Sequence, residues 1–392
     1  MMNVDGRINQ HPPGRNSEFP RQSTTLLPAL IVLAALLVTA TADAEADGAR
    51  DAGVAGAFPT PATSGTSHWT PLPPPGEPLR PGAAADPLAF RTYEVVASAG
   101  RAWAATTAGL TIHDISDPAA PRIIESLHFP GSGNGIAVHG TRAFLALGPA
   151  GLRVVDISDP SVPVLTAALD TDGSVNAVAV VDRGADRDAL IVIADGAGGI
   201  KSIAVTAEGP RVVGSMDTGR YAVHVDVQGE IVAAAEEDDG VGFYRLRADG
   251  SVSELAVVRT PGTARGVALR GSRCFVAAGM AGAVVIDLRD EAAPRVVATI
   301  PTSHYARGIA VKENLIFVAD SQAGLRVMVE AERDDPEGRG TENLPAYRLL
   351  ASFETGGSAN RVALSGGLAL VAIDAGGIKL IDVPEPGRPG SF

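Results

Sequence analysis

The chain of 392 residues contains one cysteine, Cys274, and two tryptophans, Trp69 and Trp103. A single thiol excludes an intramolecular disulfide and any cysteine-based zinc or iron–sulfur site, so stability has to come from packing. The scarcity of tryptophan speaks against a quinone-dependent dehydrogenase. Positive charge is also short: 32 Lys and Arg against 45 Asp and Glu leave a net charge of −13. Such a chain repels nucleic acid and anionic lipid, and neither is expected as a partner. The apolar run from Leu26 to Val38 has thirteen residues, fewer than the roughly 20 that span a bilayer. No cysteine follows it, which argues against a bacterial lipoprotein anchor, and no Arg-Arg pair precedes it for twin-arginine export. The sialidase-type box S-x-D-x-G-x-T-W is absent, and no nucleophile stands at a telling distance from a base.

Arg7, Arg15 and Arg21 precede the apolar run, and small residues follow it with Ala-x-Ala sites ending at Ala42 and Ala44. This is the layout of a secretory signal peptide over residues 1–42, cleaved after Ala42 or Ala44. An exported protein is expected, periplasmic, on the cell surface or secreted, with no membrane span after cleavage; the alternative is an uncleaved N-terminal membrane anchor. Residues 43–84 are rich in Ala, Gly and Pro, as in "TPLPPPGEPLRPG". Such a stretch favours an extended, disordered spacer.

The remainder, residues 85–392, is built on one phrase. "GLTIHDISDP" at 109–118 returns as "GLRVVDISDP" at 151–160. Alignment on its first glycine gives Gly109, Gly151, Gly199, Gly240, Gly282, Gly324 and Gly377. A period near 40 is the mark of a repeat architecture. Each unit holds four short segments, β-branched or alternating, bounded by Gly, Pro, Asn or Asp, and these are strand signals. Four strands per unit without a helix predict an all-β, seven-bladed β-propeller of four-stranded antiparallel blades. The first segment is dominated by small residues, such as Gly135, Ala137, Gly266 and Ala268, which suits the crowded innermost strand. Asp117-Pro118 and Asp159-Pro160 read as Asx-type turns leading to the outer strand. The seventh unit lacks an outer strand, and the segment "DPLAFRT" at 86–92 is expected to supply it and close the ring, removing an open sheet edge.

The motifs "LRVVDISDP", "AVVIDLRD" and "IKLIDVPEP" resemble the LVIVD repeat of bacterial and archaeal exported proteins. The resemblance covers about residues 93–388 and is clearest in units one, two, five and seven. Units three, four and six depart from it, with Ala204, Arg245 and Val329 at the usual Asp position. It implies a propeller, often attached to cell-surface proteins, and no single activity. No catalytic residue can be carried over from it.

In such a ring the residues just before each innermost strand surround the mouth of the central channel. They are read as Glu94, Asn134, Asn176, Val223, Arg265, Arg307 and Asn360, with Arg361 beside the last. Arg265 and Arg307, in neighbouring units, suit a carboxylate, sulfate or phosphate group. His304, Tyr305 and Tyr221 lie in the adjoining loops and add aromatic surface. His224 and Asp226, two apart on one strand, project to the same side and read as a polar pair near the channel. The acidic block Glu236, Glu237, Asp238 and Asp239 is a solvated run or, less favoured, a Ca²⁺ site, because it lacks the alternating spacing of a calcium loop. Charged insertions at 182–188 and 330–347 read as solvated loops on the opposite face. No catalytic set and no cofactor are expected. A monomeric, non-catalytic scaffold binding a protein or an anionic ligand or glycan at the mouth is the leading reading. An exported hydrolase or lyase and a ligand-free structural protein are the alternatives.

Overall fold

The structure is a computed structural model and describes residues 69–70, 90–183, 188–331, 346–374 and 377–383. Among these there is no helix. Seven antiparallel sheets follow one another along the chain, six of them with four consecutive strands in sequence order. Their first strands are Thr92–Ser98, Gly135–His139, Ala177–Val181, His224–Gln228, Gly266–Arg270, Gly308–Lys312 and Ala359–Ser365. Each first strand packs beside those of both neighbouring blades, and the seventh packs against the first, so the sheets form a ring around an axis. The protein is a seven-bladed β-propeller, as the period predicts.

The repeated phrase has a steric cause. The seven glycines that open it all sit at positive φ, between 71° and 129°, a region that other residues enter only at a cost. At Gly151 an added Cβ would stand 2.4 Å from the carbonyl oxygen of Leu169. The Asp-Pro turns also form as expected: Asp159 accepts the Ser161 N–H at 2.9 Å, and Asp117 accepts that of Ala119 at 3.1 Å. All six four-stranded blades carry a register shift between the third and fourth strands, at the same place in each. A bulge there adds local twist to the outer half of each blade.

The molecule has no single core. Seven buried apolar clusters occupy the seven seams between blades. The middle strands supply both sides of each seam. In Arg142–Ala146, Ala143 and Leu145 join the cluster shared with blade one, while Phe144 and Ala146 join the one shared with blade three. This is why the second strands are apolar at nearly every position: a strand covered on both faces loses the alternation of a half-buried one. Cys274 lies in such a strand, fully buried, and burial pushes its thiol pKa well up.

The segment expected to close the ring falls mostly outside the described residues. Thr92 pairs with Thr106 at the start of the innermost strand of blade one, so it is not part of a blade-seven outer strand, and residues 86–89 lie outside the described residues. Among the described residues blade seven has three strands, Ala359–Ser365, Leu368–Ile373 and Gly377–Asp382. The first and last blades meet through packing: Val95, Ala102 and Ile115 share a cluster with Leu370 and Ala372. Within the proline-rich stretch, Trp69–Thr70 pairs with the outer strand of blade two, Val164–Leu169. The cleavage sites lie outside the described residues, as do positions 184–187 and 332–345 of the two insertions.

Candidate functional site

Strand register sorts the residues at one end of the channel into two layers. The upper layer, which lines a cavity of about 390 Å³, holds Tyr93, Asn134, Asn176, Val223, Arg265, Arg307 and Asn360, joined by Tyr305 and Arg361. The layer beneath, paired with the last alanine of each second strand, holds Glu94, Gly135, Ala177, His224, Gly266, Gly308 and Arg361. Glu94 was expected in the upper ring; the residue there is Tyr93. Tyr93 directly precedes Glu94, as Asn360 precedes Arg361 across the same kind of register shift in blade seven, so the expected alignment of blade one was displaced by one residue and missed this aromatic wall.

Four members of the lower layer are glycine or alanine, and the three long ones fill the space that these leave. Arg361 extends from blade seven over Gly308, where a Cβ would stand 3.1 Å from its Cδ. It donates to the carbonyl oxygens of Arg307 and Arg265, the latter at 2.9 Å, and to Glu94 Oε2 at 3.2 Å. His224 Nε2 stands 3.6 Å from the same Glu94 oxygen. Blades one, four, five, six and seven are therefore linked across the axis, and the cavity has a floor. Burial lowers the Arg361 pKa, the Glu94 carboxylate opposes this, and Arg265 and Arg307 lower it further.

His224 and Asp226 do not pair with each other. His224 Nδ1 accepts the Val267 N–H at 3.3 Å, and Asp226 accepts those of Leu269 at 2.7 Å and Val227 at 2.8 Å. Gln228 continues the series by accepting the Gly271 N–H at 2.9 Å. Three alternate side chains of blade four thus satisfy three alternate backbone donors of blade five. Burial pushes the Asp226 pKa up, against the pull of its backbone donors. Neither His224 nor Asp226 lines the mouth cavity.

The acidic block is not the solvated run expected of it. Glu236 is buried, bound by Arg220 and by the Tyr244 hydroxyl. Burial raises its pKa and these two donors oppose the rise; burial and the Glu236 charge raise that of Tyr244. Asp195 and Asp320 occupy the same turn position in blades three and six. Asp195 holds Lys201 at 2.6 Å. Asp320 accepts the Thr302 hydroxyl and the Ser303 and His304 N–H groups at 2.8–3.1 Å. Through Thr171, Arg220 and Thr302–His304, these acids fasten the hairpin between the second and third strands to the loop entering the same blade. Glu237 holds Arg265 at 2.7 Å, Asp238 accepts from Thr263 at 2.7 Å, and Asp239 lies 3.9 Å from Arg259. Among the described residues no group of three His, Cys, Asp or Glu is placed to hold a metal ion.

The two mouth arginines are seated by strained residues. The turn position occupied by glycine in blades two, three and five (Gly148, Gly196, Gly279) is Glu237 in blade four and Ser321 in blade six. Both keep positive φ, 52° and 48°, at a cost on the order of 1–3 kcal/mol each. Glu237 binds Arg265, and Ser321 Oγ accepts from Arg307 Nε at 3.0 Å. Arg265 also donates to the Tyr305 hydroxyl at 3.2 Å. Burial works to lower the Arg265 pKa, and Tyr305 and Glu237 outweigh it, so the net shift is upward. Arg307 lies 6.0 Å from the centroid of the Tyr305 ring. The asparagines are largely committed to the scaffold: Asn176 donates to the Ala222 carbonyl at 2.9 Å, and Asn360 to those of Thr92 at 2.9 Å and Asp374 Oδ1 at 2.7 Å. Tyr221 packs over Gly196 with its ring partly exposed, and neither it nor His304 lines the cavity.

This arrangement, a closed ring with a floored polar mouth, defines a β-propeller that carries its side-chain diversity in loops. The model of the LVIVD repeat matches residues 92–128, 130–171, 261–302, 303–328 and 356–391. The chain is thus a seven-bladed propeller that carries LVIVD repeats in blades one, two, five, six and seven. In blade six the match ends at Met328, one residue before the departing Val329; blades three and four fall outside it. No curated protein matches the chain. Among solved structures, the chain is similar to the computationally designed Ika8 protein, with 11% identity, TM-score 0.53, and coverage of 75% of this chain and 97% of that one. It is also similar to a chain in the structure of the mitotic checkpoint complex, with 11% identity, TM-score 0.59, and coverage of 80% and 98%. At such identities the likeness is one of fold.

Proposed function

We propose that the protein is an exported, non-catalytic binding scaffold that receives an anionic group in the mouth cavity. The observation that carries this reading is a charge imbalance. Three guanidiniums line the cavity; Arg265 is paired with Glu237 and Arg361 with Glu94. Arg307 has hydrogen bonds to Ser321 and Asn360 but no carboxylate partner among the described residues. In a chain of net charge −13, an unneutralised guanidinium in a partly enclosed cavity is a built anion site. The strained Ser321 that seats Arg307 supports the same reading, because strain collects where function holds a residue in place. The N-terminal apolar run and its Ala-x-Ala sites support a place outside the cytoplasm. The commitment of both His224 nitrogens to the scaffold supports binding over catalysis.

The test is calorimetric titration of the full chain with acetate and inorganic phosphate, for the native protein and for Arg307→Gln. A hydrogen bond to a charged group contributes about 1.5–3 kcal/mol, so the variant should bind roughly 10- to 100-fold more weakly with its melting temperature held within a few degrees. Equal affinities would remove Arg307 from the site and the anion reading with it.

A further inference from the structure

We infer that the group taken by the mouth cavity is a carboxylate attached to an apolar body, which deepens the anion reading above and rests on it. The charge argument comes first. Three guanidiniums against two carboxylates leave one positive charge, suited to a monoanion, whereas a phosphate dianion would remain half neutralised. Arg307 Nε donates to Ser321 at 3.0 Å and Nη1 makes one long bond to Asn360 Oδ1 at 3.5 Å, which leaves Nη2 and the second Nη1 hydrogen to meet the two oxygens of a carboxylate.

The walls supply the second half. A sugar needs many donors and acceptors, but the Asn176 and Asn360 amides already donate to backbone and carboxylate oxygens of the ring. The surface left over is apolar on one side: Val223 and Tyr305 line the cavity, and Met280, outside that lining, has 75% of its surface exposed. Met280 follows Gly279, onto which the Tyr305 ring packs so closely that a Cβ there would lie 2.9 Å from it. A methionine beside the Tyr305 ring offers an adaptable apolar contact. The carboxylate then sits on Arg307 and its apolar neighbour lies over Tyr305 and Met280.

Two sources share this chemistry, a free apolar acid and the C-terminal residue of a peptide. Titration of the full chain with acetate, butyrate, hexanoate and 4-phenylbutyrate, and with the peptide acetyl-Gly-Gly-Leu as free acid and as C-terminal amide, separates them. Affinity should climb at least about tenfold from acetate to the best apolar member. The exposed-site variant Met280→Ser should remove several-fold of that gain without changing acetate binding, and Arg307→Gln should weaken every member by the same roughly 10- to 100-fold. Tight binding of 4-phenylbutyrate assigns small acids; tight binding of the free peptide acid but not of its amide assigns chain ends. A flat series in which acetate still depends on Arg307 overturns this inference and leaves the anion site standing. Failure of every member and of inorganic phosphate to bind overturns both.

Discussion

Blades two and four have the same strands and bury their middle strands alike, but they join their neighbours by different chemistry. Blade two approaches blade three with Gly135 and Ala137; a Cβ on Gly135 would stand 2.9 Å from the Cα of Ala177, so backbones touch. At the same two positions blade four carries His224 and Asp226, which reach the backbone donors of blade five. Where blade two has the buried Leu147 in its turn, blade four has the buried Glu236 with Arg220, Tyr244 and, at the surface, Glu254. Blade two matches the repeat model and blade four does not. A blade can thus leave the consensus and keep its place in the ring, provided that each polar side chain brought into the seam meets a partner there. Such polar seams are specific but vulnerable, because loss of one member strands the others.

The sharpest way to break this contrast is to delete one residue from each seam. Glu236→Ala leaves the Tyr244 hydroxyl without its acceptor and Arg220 with Glu254 alone as a carboxylate partner, and should cost about 3 to 4 kcal/mol in urea unfolding. Leu147→Ala, at the matching position, removes only apolar contacts and should cost about 3 kcal/mol. A rescue of the first by Tyr244→Phe, with no rescue of the second by any polar substitution, would confirm the difference in kind; a cost under 1 kcal/mol for Glu236→Ala would erase it. A smaller effect is expected from Asp226→Ala, which gives blade four the alanine of blade two but leaves the Leu269 N–H unpaired, at about 2 kcal/mol. The smallest is a matter of pH. The Asp226 pKa is raised in the folded protein, so its contribution is fully present below the unfolded value of about 3.9 and is lost as pH rises through the folded value. The melting temperature of the native protein relative to Asp226→Asn should therefore be highest near pH 3.5 and decline toward neutrality. A difference that stays flat with pH would show that the carboxylate titrates alike in both states.

How much of this was legible depends on reach along the chain. The glycine-led phrase encodes a local backbone requirement, positive φ at seven like positions, and it was enough to place the blades and six of the seven residues of the upper ring. Tyr93 escaped because an alignment displaced by one residue moves a side chain to the next layer, and Glu94, polar like most of the ring, fitted the place as well as its neighbour. The role of Glu236 escaped for another reason. In "EEDDG" four acids look alike, and only one of them meets Arg220 and Tyr244, which come from separate strands and loops. Arg361 was placed beside the ring, but nothing in its neighbours announces that it crosses to blades five, six and one. The small residues at Gly266 and Gly308 make that crossing possible, and their meaning is visible only once the blades are set side by side.

A necklace made from seven like beads has one weak point, its clasp. Here the two beads that meet there are the first and the last, and a bolt runs between them: a guanidinium from the final bead grips a carboxylate from the opening one and is itself steadied by two beads further round. The string is thus fastened at the only spot where adjacent beads are not already neighbours on the thread.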